Sequence, residues 1–445
     1  MIGVFDISIA QPAEKDTTIR LITLDPGHFH AALVQKSMYS DIDPVVHVYA
    51  PKGADVQQHL QRIDAYNKRA DKPTSWKEEV YLGDDFFDKM LAEKKGNVVV
   101  MAGNNRRKTE YIKRSIEGGF NVLGDKPMAI DPQNFERLKS AFVLAARKKL
   151  VLYDIMTERY EITNALQREF AMIPAVYGEQ KKGTPQHPGV EMESVHYFYK
   201  YVSGNVLTRP DWFFDSKQQG EALQDVGVHL VDLAQWECFP NRVINYKRDI
   251  KFNSAKRWTS DLSLTQFNIV TGSNGYPAFL KSNITNDTIL KVNANGSVNY
   301  KLFGVNVKLA ARWEYKAIAG GDSQYSALHG TKANLEIKQG AEEKYSPVLY
   351  IEPTNPNDVA YEQVLREKLK IVQAKYPGID LKKEGYRWEV IIPDKYKDGH
   401  EAHFARVTDK FLEYLKKGDM PKWEVPNMIA KYYTTTTALA LASKK

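Results

Sequence analysis

Phe120-Asn121-Val122-Leu123-Gly124-Asp125-Lys126-Pro127 begins as a short apolar run and closes on an acid, a lysine and a proline. A run this short, bounded by turn residues, reads as a strand buried on both faces. Its charged end then falls at the C-terminal edge of a parallel sheet, where open α/β sheets bind their ligands. Pro127 fixes the backbone there and makes a cis peptide bond accessible.

The same texture extends to either side. Ile19 to Leu24, Val45 to Ala50, Val98 to Ala102 and Leu150 to Tyr153 also read as buried parallel strands. Asp84 to Lys95, Arg106 to Gly118 and Pro132 to Lys148 carry helical spacing between them. The long polar connection Gly53 to Trp76 has room for an extra helix at Gln57 to Arg69. Alternating strands and helices imply a Rossmann-type doubly wound sheet, assigned to a dinucleotide-binding domain over residues 18–154.

After a helix at Glu158 to Met172 the pattern changes. Glu193 to Val202, Val243 to Phe252, Leu262 to Val270, Ala278 to Ile284, Ser297 to Phe303, Leu309 to Ala317 and Ala333 to Ile337 read as strands, several followed by Gly or Asn turns. A helix (Val359 to Ala374), a short strand (Trp388 to Ile392) and two terminal helices follow. Residues 155–445 are therefore expected to form an α+β substrate-binding and oligomerisation domain with a large, mostly antiparallel open sheet.

The 445 residues exceed one ordinary core, and 43% apolar with 26% charged residues describes a globular chain. The net charge of +7 is scattered. Arg106-Arg107-Lys108 and Arg147-Lys148-Lys149 read as solvated helix faces, so no nucleic-acid partner is expected. No apolar run approaches the roughly 20 residues of a membrane span. Met1 to Ala10 contains Asp6 and lacks a basic start, making a poor signal peptide. The single Cys238 rules out an intrachain disulfide and reads as a buried small hydrophobe. A cytoplasmic protein is expected, or a periplasmic one if a leader has been removed.

The second informative segment is Asp225-Val226-Gly227-Val228-His229-Leu230-Val231-Asp232. Asp225 and His229 lie four apart, the spacing of one helical face. With Lys126 they could manage a substrate hydroxyl and its proton. Taken singly, each has a plain reading: a strand-end lysine, an N-cap, a core histidine, and for Asp232 a capped or paired acid. Gly27-His28-Phe29-His30 follows the first strand, where a dinucleotide fold places its glycine-rich turn, although one glycine stands for the usual three. Asn104 and Asn105, after the third of these strands, suit either a helix cap or a cofactor contact. Tyr49-Ala50-Pro51-Lys52 offers no ribose-binding acid, which leaves NAD and NADP both open, with NAD favoured. Arg209 to Phe214 suits a sugar platform or a core, and Tyr153 and Tyr160 are open in the same way. His400-Glu401-Ala402-His403 has the wrong spacing for a zinc protease helix, and no metal is expected.

Together these motifs resemble the Gfo/Idh/MocA oxidoreductases, from about Thr18 onward. Asp125-Lys126-Pro127 is similar to the family's Glu-Lys-Pro. Gly220-Glu221-Ala222-Leu223-Gln224-Asp225-Val226-Gly227-Val228-His229-Leu230-Val231-Asp232 is similar to its Gly-Gly-Ala-Leu-x-Asp-x-Gly-x-His-x-x-Asp, and His329 to Ala333 to its Gly-Thr-Lys-Gly strand entry. The closing helices, His403 to Ala440, are similar as well. The resemblance implies that Lys126 and His229 flank the substrate hydroxyl with Asp225 beside them, that Asp125 lies near the nicotinamide ribose, and that the protein is a homo-oligomer. Asn105 matches the family's Thr-Pro-Asn-x-x-His, but Lys108 stands where the histidine would be.

The expected function is hydride transfer between NAD or NADP and a hydroxyl of a sugar, glycoside or polyol. His229, oriented by Asp225 or another acid, would act as base and Lys126 would stabilise the alkoxide. Two alternatives share these residues. One is glycoside cleavage by oxidation and elimination on a tightly bound NAD; the other is a non-catalytic sugar or dinucleotide sensor.

Overall fold

A computed structural model describes residues 18–202, 205–317 and 321–444; the leader reading of Met1 to Ala10 lies outside them. Six parallel strands form the first sheet: β1 (Leu21–Leu24), β2 (Val45–Ala50), β3 (Lys77–Leu82), β4 (Val98–Met101), β5 (Asn121–Asp125) and β6 (Leu152–Ile155). Their order is β3-β2-β1-β4-β5-β6, so the chain reverses direction across the sheet between β1 and β4. A doubly wound sheet opens its ligand crevice at that switch point.

Local chemistry accounts for the covering helices. Asp131 caps Pro132–Lys148 by accepting from the Asn134 N–H, with Pro132 in the first turn. Lys108–Gly118 ends at Gly119, whose φ of 94° is open to glycine. β3 is absent from the sequence reading because Lys77-Glu78-Glu79 gives it no apolar run. It is an edge strand, where charge is tolerated.

The second sheet has ten strands, with β7 (Val190–Tyr199) between the parallel Val305–Lys316 and the antiparallel Ser323–His329. Three expected strands are corrected. Leu264–Thr271 is a helix, capped by Ser263, whose side chain accepts from the Gln266 N–H. Ala278–Asn283 is a 3-10 helix entered from Pro277. In Val243 to Phe252, Asn245 caps the helical turn Tyr246–Asp249 and extended pairing starts at Ile250. Side-chain capping by Ser263 and Asn245 overrode β-branched composition at the first and third of these places.

The terminal helices His400–Lys417 and Glu424–Ala442 do not sit only with the second sheet. Phe404, Val407, Phe411, Met428 and Tyr432 pack into the first domain's core, whereas Ala430 and Ala438 pack into the second. Cys238 is half-buried rather than fully enclosed. Among the described residues, no helix is long and apolar enough to cross a membrane.

Candidate active site

β5 delivers Asp125 to the sheet edge, and Lys126 follows, joined to Pro127 by a cis bond. Lys126 Nζ donates to Asp225 Oδ1 at 2.8 Å and to the Asp225 carbonyl at 2.9 Å. The two side chains are only 12% and 9% exposed. Burial opposes both charges, yet their attraction outweighs it. Asp225 stays below the usual carboxylate range and Lys126 above the usual ammonium value. The lysine is thus a fixed cation.

Asp225 and His229 do not share one continuous helix. Ala222–Asp225 is a short turn held by Gln224, which bonds the Glu221 N–H and the Thr435 carbonyl. A second helix, Gly227–Cys238, carries His229. The Asp225 carboxylate faces Lys126 rather than orienting the imidazole. His229 Nδ1 is buried without a hydrogen-bond partner. Burial, and then Lys126, push its pKa well below the ordinary value, so the ring is neutral.

Asp232, on the same helix, has a different task. It takes both Arg159 Nε and Nη2 (2.6 and 2.7 Å) and Lys431 Nζ at 2.8 Å. Lys431 also reaches Asp154 at the end of β6, and Arg159 reaches Glu424. This network ties the first sheet, the His229 helix and the last helix together.

Asp125 is also enclosed. His30 Nδ1 lies 3.1 and 3.0 Å from its two oxygens, and His28 Nδ1 lies 3.4 Å from Oδ2. Burial pushes this carboxyl up, but the two histidines and Lys108 hold it well below its usual range. His30 stacks on His400, with ring centroids 4.9 Å apart. Lys108 corrects a reading: instead of facing water it is buried, bonding Asn105 Oδ1 and the Asp125 carbonyl. Burial lowers its pKa to about 8.

The asparagines do not cap the following helix; they bond the Gln218-Gln219 segment that precedes Asp225. Asn104 Nδ2 bonds Gln218 Oε1 and Asn105 Nδ2 bonds the Gln219 carbonyl, each at 2.8 Å. Of the aromatic segment, Phe213 and Phe214 are core, while half-buried Trp212 donates to Asp55 Oδ2 at 3.0 Å. Glu158 was missed. It sits on the turn after β6, where burial and Glu161 raise it to about 7 against the pull of Lys126. An acid just beyond a parallel strand was the signal available.

The switch-point crevice tests whether a dinucleotide fits. Gly103 has no room for a side chain, since a Cβ there would lie 2.2 Å from the Asp25 carbonyl. Arg107 and Lys108 add cationic charge beside Asp25. On the other side, Asp55 and Trp212 close over Gly27. Both are side chains, joined by the Trp212–Asp55 hydrogen bond, so a dinucleotide has room here only if they swing aside. The residues fit a dinucleotide on that condition.

Fold and site define a protein of two large sheets: a Rossmann-type parallel sheet whose edge meets Asp225 and His229 from the part of the chain that carries the mostly antiparallel sheet. A family model described as "Putative oxidoreductase C terminal domain" matches residues 166–443, and the chain belongs to the Gfo/Idh/MocA-type oxidoreductases. It is 54% identical to a protein from Parabacteroides merdae solved as a "putative oxidoreductase", with a TM-score of 0.94 over 96% of this chain and 98% of that one. GenD2 from gentamicin A biosynthesis, solved with NAD, shares 14% identity with a TM-score of 0.58 over 98% and 97%. KijD10, a 3-ketoreductase from Actinomadura kijaniata solved with NADP and TDP-benzene, shares 13% with a TM-score of 0.56 over 96% and 97%. These two share the fold. No curated protein matches the sequence.

Proposed function

We propose that the protein is a nicotinamide-dependent oxidoreductase acting on a hydroxyl of a sugar, glycoside or polyol, with NAD favoured over NADP. The observation that carries this reading is a buried ammonium, fixed by Asp225, beside a neutral imidazole with an unpartnered buried nitrogen. A substrate hydroxyl completes that arrangement: its oxygen meets Lys126 and its proton meets His229. The nicotinamide, when bound, supplies hydride acceptance. Lys126 then stabilises the alkoxide, and Asp225 keeps the lysine charged and in place. GenD2 with NAD and KijD10 with NADP, on the same fold, support the cofactor class.

The test adds sugars, glycosides and polyols singly to the protein with NAD or NADP and follows nicotinamide absorbance and products. A lasting rise on one substrate supports the proposal. No change with either cofactor across the panel, in protein shown to be folded, argues against it.

One observation favours the elimination variant as a second reading. Glu158, coupled electrostatically to Lys126 and poised at about 7, is an additional proton acceptor for a carbon acid next to a newly oxidised centre. Aglycone release without net reduced nicotinamide would mark that course.

A further inference from the structure

We propose that His28, His30 and Asp125 bind a divalent first-row transition cation beside the Lys126–Asp225 pair. One ligand atom from each lies within 4.8 Å of the others. The separations are compatible with a shared cation as well as with hydrogen bonds. Zinc-type bonds of about 2.0–2.2 Å place tetrahedral donors about 3.3 Å apart. His28 Nδ1 is 3.4 Å from Asp125 Oδ2, and His30 Nδ1 is 3.0 Å from the same oxygen.

The second, independent observation is that His28 Nδ1 is buried with no hydrogen-bond partner. His30 satisfies its Nδ1 on Asp125, but His28 is directed at the carboxylate without a bond. A cation between them would satisfy it. Two imidazoles and one carboxylate select zinc, iron, cobalt or manganese over calcium and magnesium, which prefer all-oxygen shells. Three protein ligands leave positions for water or a substrate oxygen, as in catalytic metal sites.

The surroundings are built to hold these ligands still. His30 and Asp125 are 6% and 2% exposed, and His30 is packed between His400 and Phe404. The neighbouring ammonium groups are already engaged, Lys126 by Asp225 and Lys108 by Asn105. Sequence spacing hides the site because Asp125 lies 95 residues from His30.

These ligands lie on the turn and the acid expected to meet the dinucleotide, so cation and nicotinamide are titrated separately. The full chain, stripped with a chelator, is titrated with Zn2+ and with Co2+ by calorimetry, and its metal content is measured as purified. About one equivalent should bind, and His28→Ala and Asp125→Asn should each weaken binding at least about 100-fold while circular dichroism shows the fold retained. His403→Gln, which alters the separate His403–Asp398 pair, should bind as the parent does. Failure of the folded parent to take either cation overturns the proposal, as does undiminished binding by the His28 and Asp125 variants. NAD titrated into the same stripped sample reports separately on the proposed function.

Discussion

Two clusters of buried charge share the segment Asp225 to Asp232, and they are finished differently. The network of Arg159, Asp232, Lys431, Asp154 and Glu424 is nearly complete: Asp232 receives three bonds, Lys431 bridges two carboxylates, and Asp154 Oδ1 is the one carboxylate oxygen in it left buried without a partner. The cluster at Lys126, Asp225, His229 and His28 is left open, with two imidazole nitrogens buried and unpartnered. Asp225, His229 and Asp232 all lie within eight residues, so local sequence cannot explain the contrast. A closed network spends its bonding capacity on holding domains together. An open one keeps capacity for a ligand.

The contrast breaks most sharply at Lys126 and His229. Lys126→Ala or His229→Ala should lower kcat by about 10²–10⁴. His229→Ala should move thermal stability far less, and a collapse of its folding would erase the distinction drawn here; Lys126→Ala also leaves buried Asp225 without its cation and should lose stability as well. The opposite pattern is expected at Lys431→Met, which leaves buried carboxylates uncompensated and should cost about 3–5 kcal/mol in denaturant unfolding.

Glu237 offers a gain instead of a loss. It is 1% exposed, and neither carboxylate oxygen has a partner. Burial raises its folded pKa well above the ordinary value, so its stability contribution is present below the unfolded pKa and lost as pH rises through the window between the two. Glu237→Gln should therefore stabilise the protein at neutral pH by about 1–3 kcal/mol, with less effect near pH 4. Equal unfolding curves at both pH values would refute this.

The finest test concerns Glu158. If it accepts a proton in turnover, activity should rise with pH through about 7, and Glu158→Gln should remove that limb. A pH profile identical to the parent's would place the acid outside the chemistry.

Much of this was legible in the sequence. Val98 to Met101 and Asn121 to Gly124 are runs that only a doubly buried strand accommodates, so the first sheet could be read without its edge. Asp125-Lys126-Pro127 and Asp225 to Asp232 marked the site because those residue types are costly at buried strand and helix ends. Their pairing was not legible. Helical periodicity set Asp225 beside His229, whereas the fold breaks the helix at Val226 and gives the carboxylate to Lys126. Lys108 looked solvated because an amphipathic pattern does not show which strand end it meets. His28 and His30 share one segment, but His400 reaches them only through tertiary packing, and no local period connects it to them.

The helix Glu424–Ala442 has a consequence in time as well as in space. Tyr432 bonds Asp154, a residue made 278 positions earlier, and Lys431 grips that same acid together with the His229 helix. At about 5–20 residues per second, tens of seconds of synthesis separate the two partners. During that interval Asp154 lacks its counter-charge, and the first sheet lacks the side chains of the terminal helices that complete its core. The site can take its final geometry only when translation has reached the helix that carries Lys431 and Tyr432.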